Sequence, residues 1–309
     1  MTNDPESPIA TRALDVVTVG ESMILVTPSD GRPVDTAQLF ALHVGGAESN
    51  VAVHLHQLGH SVTWVSAVGT DALGRRLERI LSELGLDMTH VRKNRDAPTG
   101  LYVKDPGKGP SYYRAGSAAS RMEPDIVSEE LLRSAKVLHL TGITPALSAT
   151  CRELSYDVAQ RARQTGTIIS FDVNYRSALW PVSRAASELN ELCQLAEVVF
   201  VGLDEARELW GCETASDVRQ VFPNVERLVV KNDSTGAFEF SPQGEVFVPS
   251  LPVEVVEVVG AGDAFAAGYL SGMLQGLPGE SRLALGHERA AKTLMSIADV
   301  PTETEGTVS

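Results

Sequence analysis

Hydrophobic and polar residues follow one another along this chain in a way that predicts strands and helices in turn. An apolar run at 16–20 ends in glycine and predicts a buried strand, and 62–67 predicts another. Asp71 precedes leucines at helical spacing and Gly85 follows them, so a capped helix is expected between the two. Further strands are predicted at 137–140, 167–172, 198–201 and 227–231, a hairpin at 237–248, and helices at 150–164, 187–196, 264–275 and 282–297. This alternation predicts a doubly wound α/β fold, with helices on both faces of a mostly parallel sheet.

Two segments outside this alternation predict a second, smaller sheet. Prolines and glycine interrupt the segment 22–44, and the segment 98–116 has the pattern of a hairpin with a long tip. We expect these segments to form a β lid on an α/β core made of residues 12–21, 45–97 and 117–300. The tails, 1–11 and 301–309, are expected to be flexible.

Charge and cysteine content narrow the classes of function. The 309 residues include 40 acidic and 26 basic side chains, and the net charge of −14 repels nucleic acids and anionic membranes. The three cysteines form no C-x-x-C pair, and the sequence shows neither a signal-peptide pattern nor a credible apolar span. We therefore expect a cytoplasmic protein that binds neither nucleic acid nor membrane. An anionic substrate would need local arginines.

The segment 259–265 indicates chemistry on phosphate. Its sequence is Val-Gly-Ala-Gly-Asp-Ala-Phe, and the two glycines let backbone N–H groups turn toward one point before a predicted helix. Such an anion hole stabilises phosphate oxygens during transfer. Asp263 at its mouth is placed to accept a hydroxyl proton, and its alternative role is a helix N-cap. The G-x-G-x-x-G and P-loop motifs are absent, which disfavours nicotinamide enzymes and common NTPases.

Two ordered motifs resemble the signatures of the PfkB, or ribokinase-like, carbohydrate kinases. The first is Gly-Gly-Ala-Glu-Ser-Asn-Val-Ala at 45–52, followed by Val-Gly-Thr-Asp-Ala-Leu-Gly at 68–74. The second is Gly-Ala-Gly-Asp-Ala-Phe at 260–265, with Gly268. The resemblance implies a ribokinase-like core with a small β-sheet lid. The site is then expected in the crevice between them, at the carboxyl ends of the strands.

Two further stretches are similar to the subgroup of kinases that act on 2-keto-3-deoxygluconate. They are 112–120 and 171–180, and they contain Arg114 and Arg176. Planar guanidinium groups suit a carboxylate or a phosphate, although a surface salt bridge is the alternative for each. The resemblance implies ATP- and Mg²⁺-dependent phosphorylation of the 6-hydroxyl of 2-keto-3-deoxygluconate. Two alternatives stay open: a neutral-sugar kinase of the fructokinase or ribokinase type, and a degenerate kinase fold that senses sugar acids.

The resemblance also implies roles for single residues. Asp263 is the implied base, with Gly260, Ala261 and Gly262 forming the anion hole, and Glu205 is implied to act on Mg²⁺ through water. The implied acceptor-binding residues are Gly45, Gly46, Asn50, Tyr102, Tyr113, Arg114, Arg176 and Asp263. The implied nucleotide-binding residues are Asn174, Arg176, Lys231, Asp233, Gly236, Gly260, Gly262 and His287. The alternatives for these residues are tight turns, solvated helix positions and lid packing. The resemblance leaves room for a monovalent cation, and we expect a homo-oligomer.

Departures from the family pattern cluster on the nucleotide side. Glu-Val-Val at 257–259 replaces the usual Asp-Thr-Thr or Asp-Thr-x, which removes two hydroxyls from expected contacts with phosphate or a monovalent cation. Asp233 stands where glycine is usual in the 231–236 loop, which is implied to border the adenine. Gly202 and His287 each stand where the family often has Asn. The acceptor side keeps the family pattern.

Overall fold

Most of the chain forms one large sheet, one small sheet and the helices that cover them. The computed structural model describes residues 12–296 and 300, so the predictions for 1–11 and 301–309 lie outside the described residues. In chain order the strands are β1 Leu14–Val19, β2 Met23–Pro28, β3 Phe40–Gly45, β4 Val62–Gly69, β5 Val91–Asn94, β6 Leu101–Val103, β7 Ser111–Tyr113, β8 Ala135–Thr141, β9 Ile168–Asp172, β10 Val198–Gly202, β11 Arg227–Asn232, β12 Gly236–Ser241 and β13 Gly244–Pro249. The helices are α1 Ala47–Gln57, α2 Ala72–Glu83, α3 Glu129–Ser134, α4 Ile143–Leu147, α5 Ala149–Thr165, α6 Val182–Cys193, α7 Leu203–Trp210, α8 Ala215–Val221, α9 Ala261–Leu274 and α10 Gly279–Leu294.

The large sheet confirms the predicted fold class. Its nine strands run in the order β13-β12-β11-β10-β9-β8-β1-β4-β5. Neighbours from β11 to β5 pair in parallel, and β12 and β13 add an antiparallel edge. Because parallel strands end at one edge of a sheet, the residues that follow β9, β10 and β11 meet at the carboxyl edge.

Helices cover both faces of this sheet, since successive side chains of each strand point to opposite faces. On one face, Val17 of β1 shares an apolar cluster with residues of α3, α5 and α6, including Leu154 of α5. On the other face, the neighbouring Val16 shares a cluster with residues of α1, α9 and α10, including Leu270 of α9. Helix α9 is therefore anchored along the sheet, and its first turn is held at the carboxyl edge.

The small sheet has the order β3-β2-β6-β7. Strand β2 pairs antiparallel with β3 and parallel with β6, and β7 closes a hairpin with β6. These strands fall in the segments expected to form the lid, apart from Gly45, the last residue of β3. Ile24 of β2 packs in the cluster of Trp64 and Leu77 and so joins the small sheet to the core. The exact division into lid and core stays a prediction.

The bounds of several helices differ from those expected. Helix α6 begins at Val182 rather than 187, because Pro181 has a backbone conformation that suits a helix start. Helix α9 begins at Ala261 rather than 264, so the glycine-rich motif is itself the first turn. Helix α10 is Gly279–Leu294 rather than 282–297, and the short elements β5, α3, α4, α7 and α8 were not expected. Across the described residues, no helix is both long enough and apolar enough to cross a bilayer.

Candidate active site

The first turn of α9 has the backbone geometry expected of an anion hole. Gly260 adopts a φ of 86° and is the N-cap residue of α9. Glycine reaches such a positive φ without the steric cost that a side chain adds. Ala261, Gly262 and Asp263 follow as the first turn, whose N–H groups have no carbonyl partner within the helix. The N–H of Ala261 donates to the carbonyl of Val258, before the helix, at 3.4 Å. Because Asp263 lies inside this turn, the alternative of an N-cap aspartate is excluded.

Two asparagines from different parts of the chain hold the Asp263 carboxylate. Asn50 of α1 donates from Nδ2 to Oδ2 at 2.9 Å, and Asn174 donates from Nδ2 to Oδ1 at 3.4 Å. Asn174 has a φ of 38°, and its buried Oδ1 has no hydrogen-bond partner. Strained backbone and unpartnered polar atoms are features that concentrate at ligand sites. The two sequence motifs therefore converge on one carboxylate, which is only 9% exposed.

Lys231 lies beside the first turn of α9, and its implied place on the adenine side stays a prediction. Its Nζ is 2.9 Å from Oδ2 of Asp172, and a Cβ placed on Gly262 would be 3.6 Å from that Nζ. The lysine side chain is 21% exposed and the aspartate 2%. Burial opposes the charged form, but Asp172 and Glu205 outweigh it and raise the pKa of Lys231 above its usual value. The result is a fixed positive charge beside the first turn of α9.

Glu205 joins the loops that follow β9 and β10. Its Oε1 accepts from the backbone N–H of Tyr175 and its Oε2 from that of Gly202, each at 2.7 Å. Burial raises the pKa of Glu205 above its usual value, against the opposing effect of Lys231. Both oxygens are thus engaged with backbone, which positions the segment that carries Asn174. Over residues 12–296 and 300, no three His, Cys, Asp or Glu side chains cluster as a ready-made metal site.

The acceptor side is closely packed around the start of α1. Gly46 leaves no room for a side chain, because a Cβ there would lie 2.2 Å from the carbonyl oxygen of Glu21. Gly45, immediately before it, is the last residue of β3. Glu48 is fully buried, and Thr141 and Thr144 donate hydroxyls to its Oε1 at 2.7 and 2.9 Å. Burial nevertheless raises the pKa of Glu48 to about 7.

Arg114 is engaged by a buried carboxylate that the sequence analysis did not identify. Its Nε donates to Oε2 of Glu21 at 2.7 Å, and the Oε1 of Glu21 accepts from Ser117 at 2.7 Å. Arg114 is 8% exposed and Glu21 2%. Part of the guanidinium is therefore neutralised within the protein. Arg176, by contrast, is exposed.

The implied lid tyrosines differ in burial. Tyr102 is buried, and its ring stacks on that of Tyr112 with centroids 5.6 Å apart. The side chain of Tyr113 is exposed. The structure thus places Tyr102 inside the small sheet and leaves Tyr113 on its surface.

The residues that the resemblance assigned to the nucleotide differ in burial. Asp233 is exposed in the turn between β11 and β12 and adopts a φ of 41°. Gly236 begins β12, where a Cβ would lie 2.4 Å from the carbonyl oxygen of Val248. The ring of His287 contacts that same oxygen through Nε2 at 3.1 Å, and burial lowers its pKa. Exposed valines mark the segment that leads from β13 to α9, namely Val255, Val256 and Val258.

Three functional candidates were missed because each needs a tertiary partner to be recognised. Asp172 and Glu21 pair with cations 59 and 93 residues away, and Glu48 bonds hydroxyls at least as distant. One signal was available for Asp172 and Glu21, since each acidic residue lies at the end of an apolar strand pattern. The partners themselves follow only from the fold.

Comparisons with known proteins show the family to which the chain belongs. Residues 13–301 match the family described as pfkB family carbohydrate kinase. The chain is 34% identical over 296 residues to the 2-dehydro-3-deoxygluconokinase of Bacillus subtilis, covering 93% of this chain and 91% of that one. It is 33% identical to the 2-dehydro-3-deoxygalactonokinase of Haloferax volcanii, with 90% of each covered. A probable fructokinase of Arabidopsis thaliana is 31% identical, with 85% and 79% covered. The crystal structure of a PfkB protein from Polaromonas sp. JS666 superposes with a TM-score of 0.86 at 34% identity, covering 96% of this chain and all of that one.

Proposed function

This chain belongs to the pfkB family of carbohydrate kinases, and we propose that it transfers the γ-phosphoryl group of ATP to the 6-hydroxyl of 2-keto-3-deoxygluconate. The observation that carries the proposal is the Asn50–Asp263 hydrogen bond of 2.9 Å. It joins the acceptor motif to the anion-hole motif, so that a hydroxyl bound at one would lie beside the other. The relatives named for keto-deoxy sugar acids support the choice of acceptor.

In the proposed reaction, Asp263 accepts the hydroxyl proton while the hydroxyl oxygen attacks the γ-phosphorus. The bond from the γ-phosphorus to its bridging oxygen breaks, and ADP leaves with that electron pair. Asn50 and Asn174 orient the carboxylate through their Nδ2 donors. The N–H groups at the start of α9 stabilise the negative charge on the transferring group. The protein contributes positioning and electrostatics, which dominate this class of reaction.

Lys231 and the carboxyl edge would receive the nucleotide phosphates. Paired with Asp172, the ammonium is held in place rather than free to adopt many rotamers. Mg²⁺ fits this site as an ion bound mainly by phosphate and water, because Glu205 has both oxygens on backbone N–H groups and Asn174 has a free buried Oδ1. When bound, Mg²⁺ neutralises phosphate charge. Asn174 would hold it directly or through water, and Glu205 through water only.

We include no monovalent cation in the proposal. Glu257, the acidic residue before the anion hole, has its Oε1 on the N–H groups of Val258 and Val259 and its Oε2 3.1 Å from Nζ of Lys104. A carboxylate that is already neutralised in this way does not fit a cation site.

Phosphorylation of a neutral sugar is a second candidate, favoured by one observation. Arg114 was expected to read the carboxylate of the acceptor, but Glu21 already pairs with it. Recognition of an acid would then rely on the exposed Arg176 and on the N–H groups of Arg114 that Glu21 does not use. The probable fructokinase among the relatives is consistent with this candidate.

The release of ADP from ATP and Mg²⁺ across a panel of acceptors tests the proposal. The panel contains 2-keto-3-deoxygluconate, 2-keto-3-deoxygalactonate, fructose and ribose. We expect the highest kcat/KM for a keto-deoxy sugar acid and a selective loss for that acid in Arg176→Ala. Preference for a neutral sugar would establish the second candidate, and tight binding of the acid without turnover would establish a sensor.

A further inference from the structure

An ion pair joins the small sheet to the loop that forms the anion hole. Lys104 follows β6 directly, and its backbone N–H donates to the carbonyl of Val26 in β2 at 3.0 Å. The backbone of Lys104 is thus fixed to the small sheet. Its Nζ lies 3.1 Å from Oε2 of Glu257, with the side chains 15% and 25% exposed. The pair therefore joins the small sheet to the loop before α9, and both of its side chains are largely withdrawn from solvent.

The other oxygen of Glu257 holds the backbone that leads into α9. Oε1 accepts the N–H groups of Val258 at 2.9 Å and of Val259 at 3.1 Å. Gly260, the residue whose positive φ starts the anion hole, follows directly. These hydrogen bonds and the cation keep the pKa of Glu257 below its usual value although partial burial would raise it. The carboxylate is thus charged and lies between the small sheet and the anion hole.

A second anchor fixes the same loop on the side of the core. The backbone N–H groups of Val256 and Glu257 both donate to the carbonyl of Leu294, at 2.8 and 3.2 Å. The loop before Gly260 is therefore held by α10 on one side and, through Glu257, by Lys104 on the other. Only the second of these anchors depends on where the small sheet lies.

We propose that Lys104 is a positioning residue, which holds the anion hole in its active geometry through Glu257 when the small sheet lies over the core. The inference rests on the proposed kinase activity and extends it to a residue outside the phosphate site. An acceptor that holds the small sheet against the core would thereby also order the phosphate-binding turn. Phosphoryl transfer would then be favoured only when the acceptor is present.

An ordinary surface pair would have no such effect, since exposed ion pairs contribute little. Lys108 supplies the matched control, because it lies on the same hairpin and pairs with Asp105 at 2.9 Å, but its side chain is 68% exposed. The variants to compare are Lys104→Met, Lys104→Arg, Glu257→Gln, the double variant Lys104→Met/Glu257→Gln, and Lys108→Met.

We expect Lys104→Met and Glu257→Gln each to lower kcat by about tenfold, equivalent to about 1.4 kcal/mol in the barrier. The KM of the acceptor should change by less than about twofold, because neither residue is placed against it. The double variant should be no worse than the worse single variant, Lys104→Arg should restore most of the activity, and Lys108→Met should match wild type. Additive losses, or equal effects at Lys104 and Lys108, would overturn the proposal.

A readout independent of turnover separates this inference from the proposed function. Amide hydrogen exchange at Val258 and Val259 should be several-fold faster in Lys104→Met than in wild type and unchanged in Lys108→Met. Unchanged exchange in Lys104→Met would contradict the coupling whatever the substrate. Faster exchange in a chain that phosphorylates no acceptor would keep the coupling and refute the activity instead.

Discussion

The surroundings of Asp263 and the loop around Asp233 differ in how far their side chains are buried. On the proposed acceptor side, Asn50 and Asp263 are buried and bonded to each other, and two threonine hydroxyls donate to one oxygen of the buried Glu48. On the nucleotide side, Asp233 and the valines of the 255–258 segment are exposed. The proposed acceptor side is therefore held by contacts within the protein, while these residues on the proposed nucleotide side are open to solvent.

This difference predicts which property a substitution on each side should change. Changes on the acceptor side disturb a fixed framework and should affect the chemical step or folding. Changes on the nucleotide side alter an exposed surface and should affect ATP binding more than stability. Lys231 lies at the boundary, since it contacts the buried Asp172 and adjoins the anion hole.

The largest effect is expected for Asp263→Asn, because it removes the proposed base from the acceptor side. A positioned general base contributes about 10²- to 10⁴-fold, so kcat should fall by that factor while the thermal midpoint changes little. Steady-state kinetics and a melting curve measure both. Asp96→Asn, at an exposed position, is the control and should match wild type. Turnover of Asp263→Asn within about threefold of wild type would refute the role of base.

Glu48→Gln tests the acceptor side through the pH dependence of the free energy of unfolding. The folded chain holds Glu48 at a pKa of about 7, above its usual 4.5, so burying the charged form destabilises the protein above pH 7. As pH falls from 8 to 5, Glu48 takes up a proton in the folded chain before the unfolded one, and this penalty is relieved. Wild type should gain about 2–3 kcal/mol of unfolding free energy relative to Glu48→Gln over that range. If the free energy of unfolding, measured with urea, changed with pH in the same way for both proteins, the raised pKa of Glu48 would be contradicted.

Lys231→Met tests the boundary between the two sides. Loss of a charge-assisted contact should raise the KM for ATP by roughly 10- to 150-fold, since such contacts contribute about 1.5–3 kcal/mol. The thermal midpoint should also fall, because Asp172 is left buried without its cation. Lys136→Met removes a lysine that pairs with Asp15 and is 48% exposed, and it should change neither quantity. An unaltered KM for ATP in Lys231→Met would place the phosphates elsewhere.

Asp233→Gly should give the smallest effect and probes the nucleotide side alone. Removal of the carboxylate should lower the KM for ATP about two- to threefold, an effect that weakens with salt as the Debye length falls to about 8 Å at physiological ionic strength. Relief of the positive φ at this residue should add up to about 1 kcal/mol of stability. Asp233→Asn separates the two causes, because it removes the charge and keeps a residue that tolerates this φ. A higher KM for ATP in both variants would show that Asp233 assists the nucleotide.

Local pattern predicted the parallel core and the anion-hole motif, because strand periodicity and glycine spacing are properties of short segments. The same glycines concealed the start of α9, since glycine is a weak helix former and Gly262 lies in the first turn. The pairing of Arg114 with Glu21 could not be predicted, because it joins residues that only the small sheet brings together. Because of that pairing, Arg114 already binds a carboxylate of the protein, whereas the sequence predicted that it would bind the carboxylate of the acceptor.

The most direct test of the account is the identity of the phosphorylated product. The protein is incubated with ATP, Mg²⁺ and 2-keto-3-deoxygluconate, and the product is analysed by phosphorus–proton correlated NMR. We expect a single new phosphomonoester whose phosphorus couples to the two protons on C6. Coupling to a proton of a ring or chain CH group, or the appearance of inorganic phosphate alone, would contradict it.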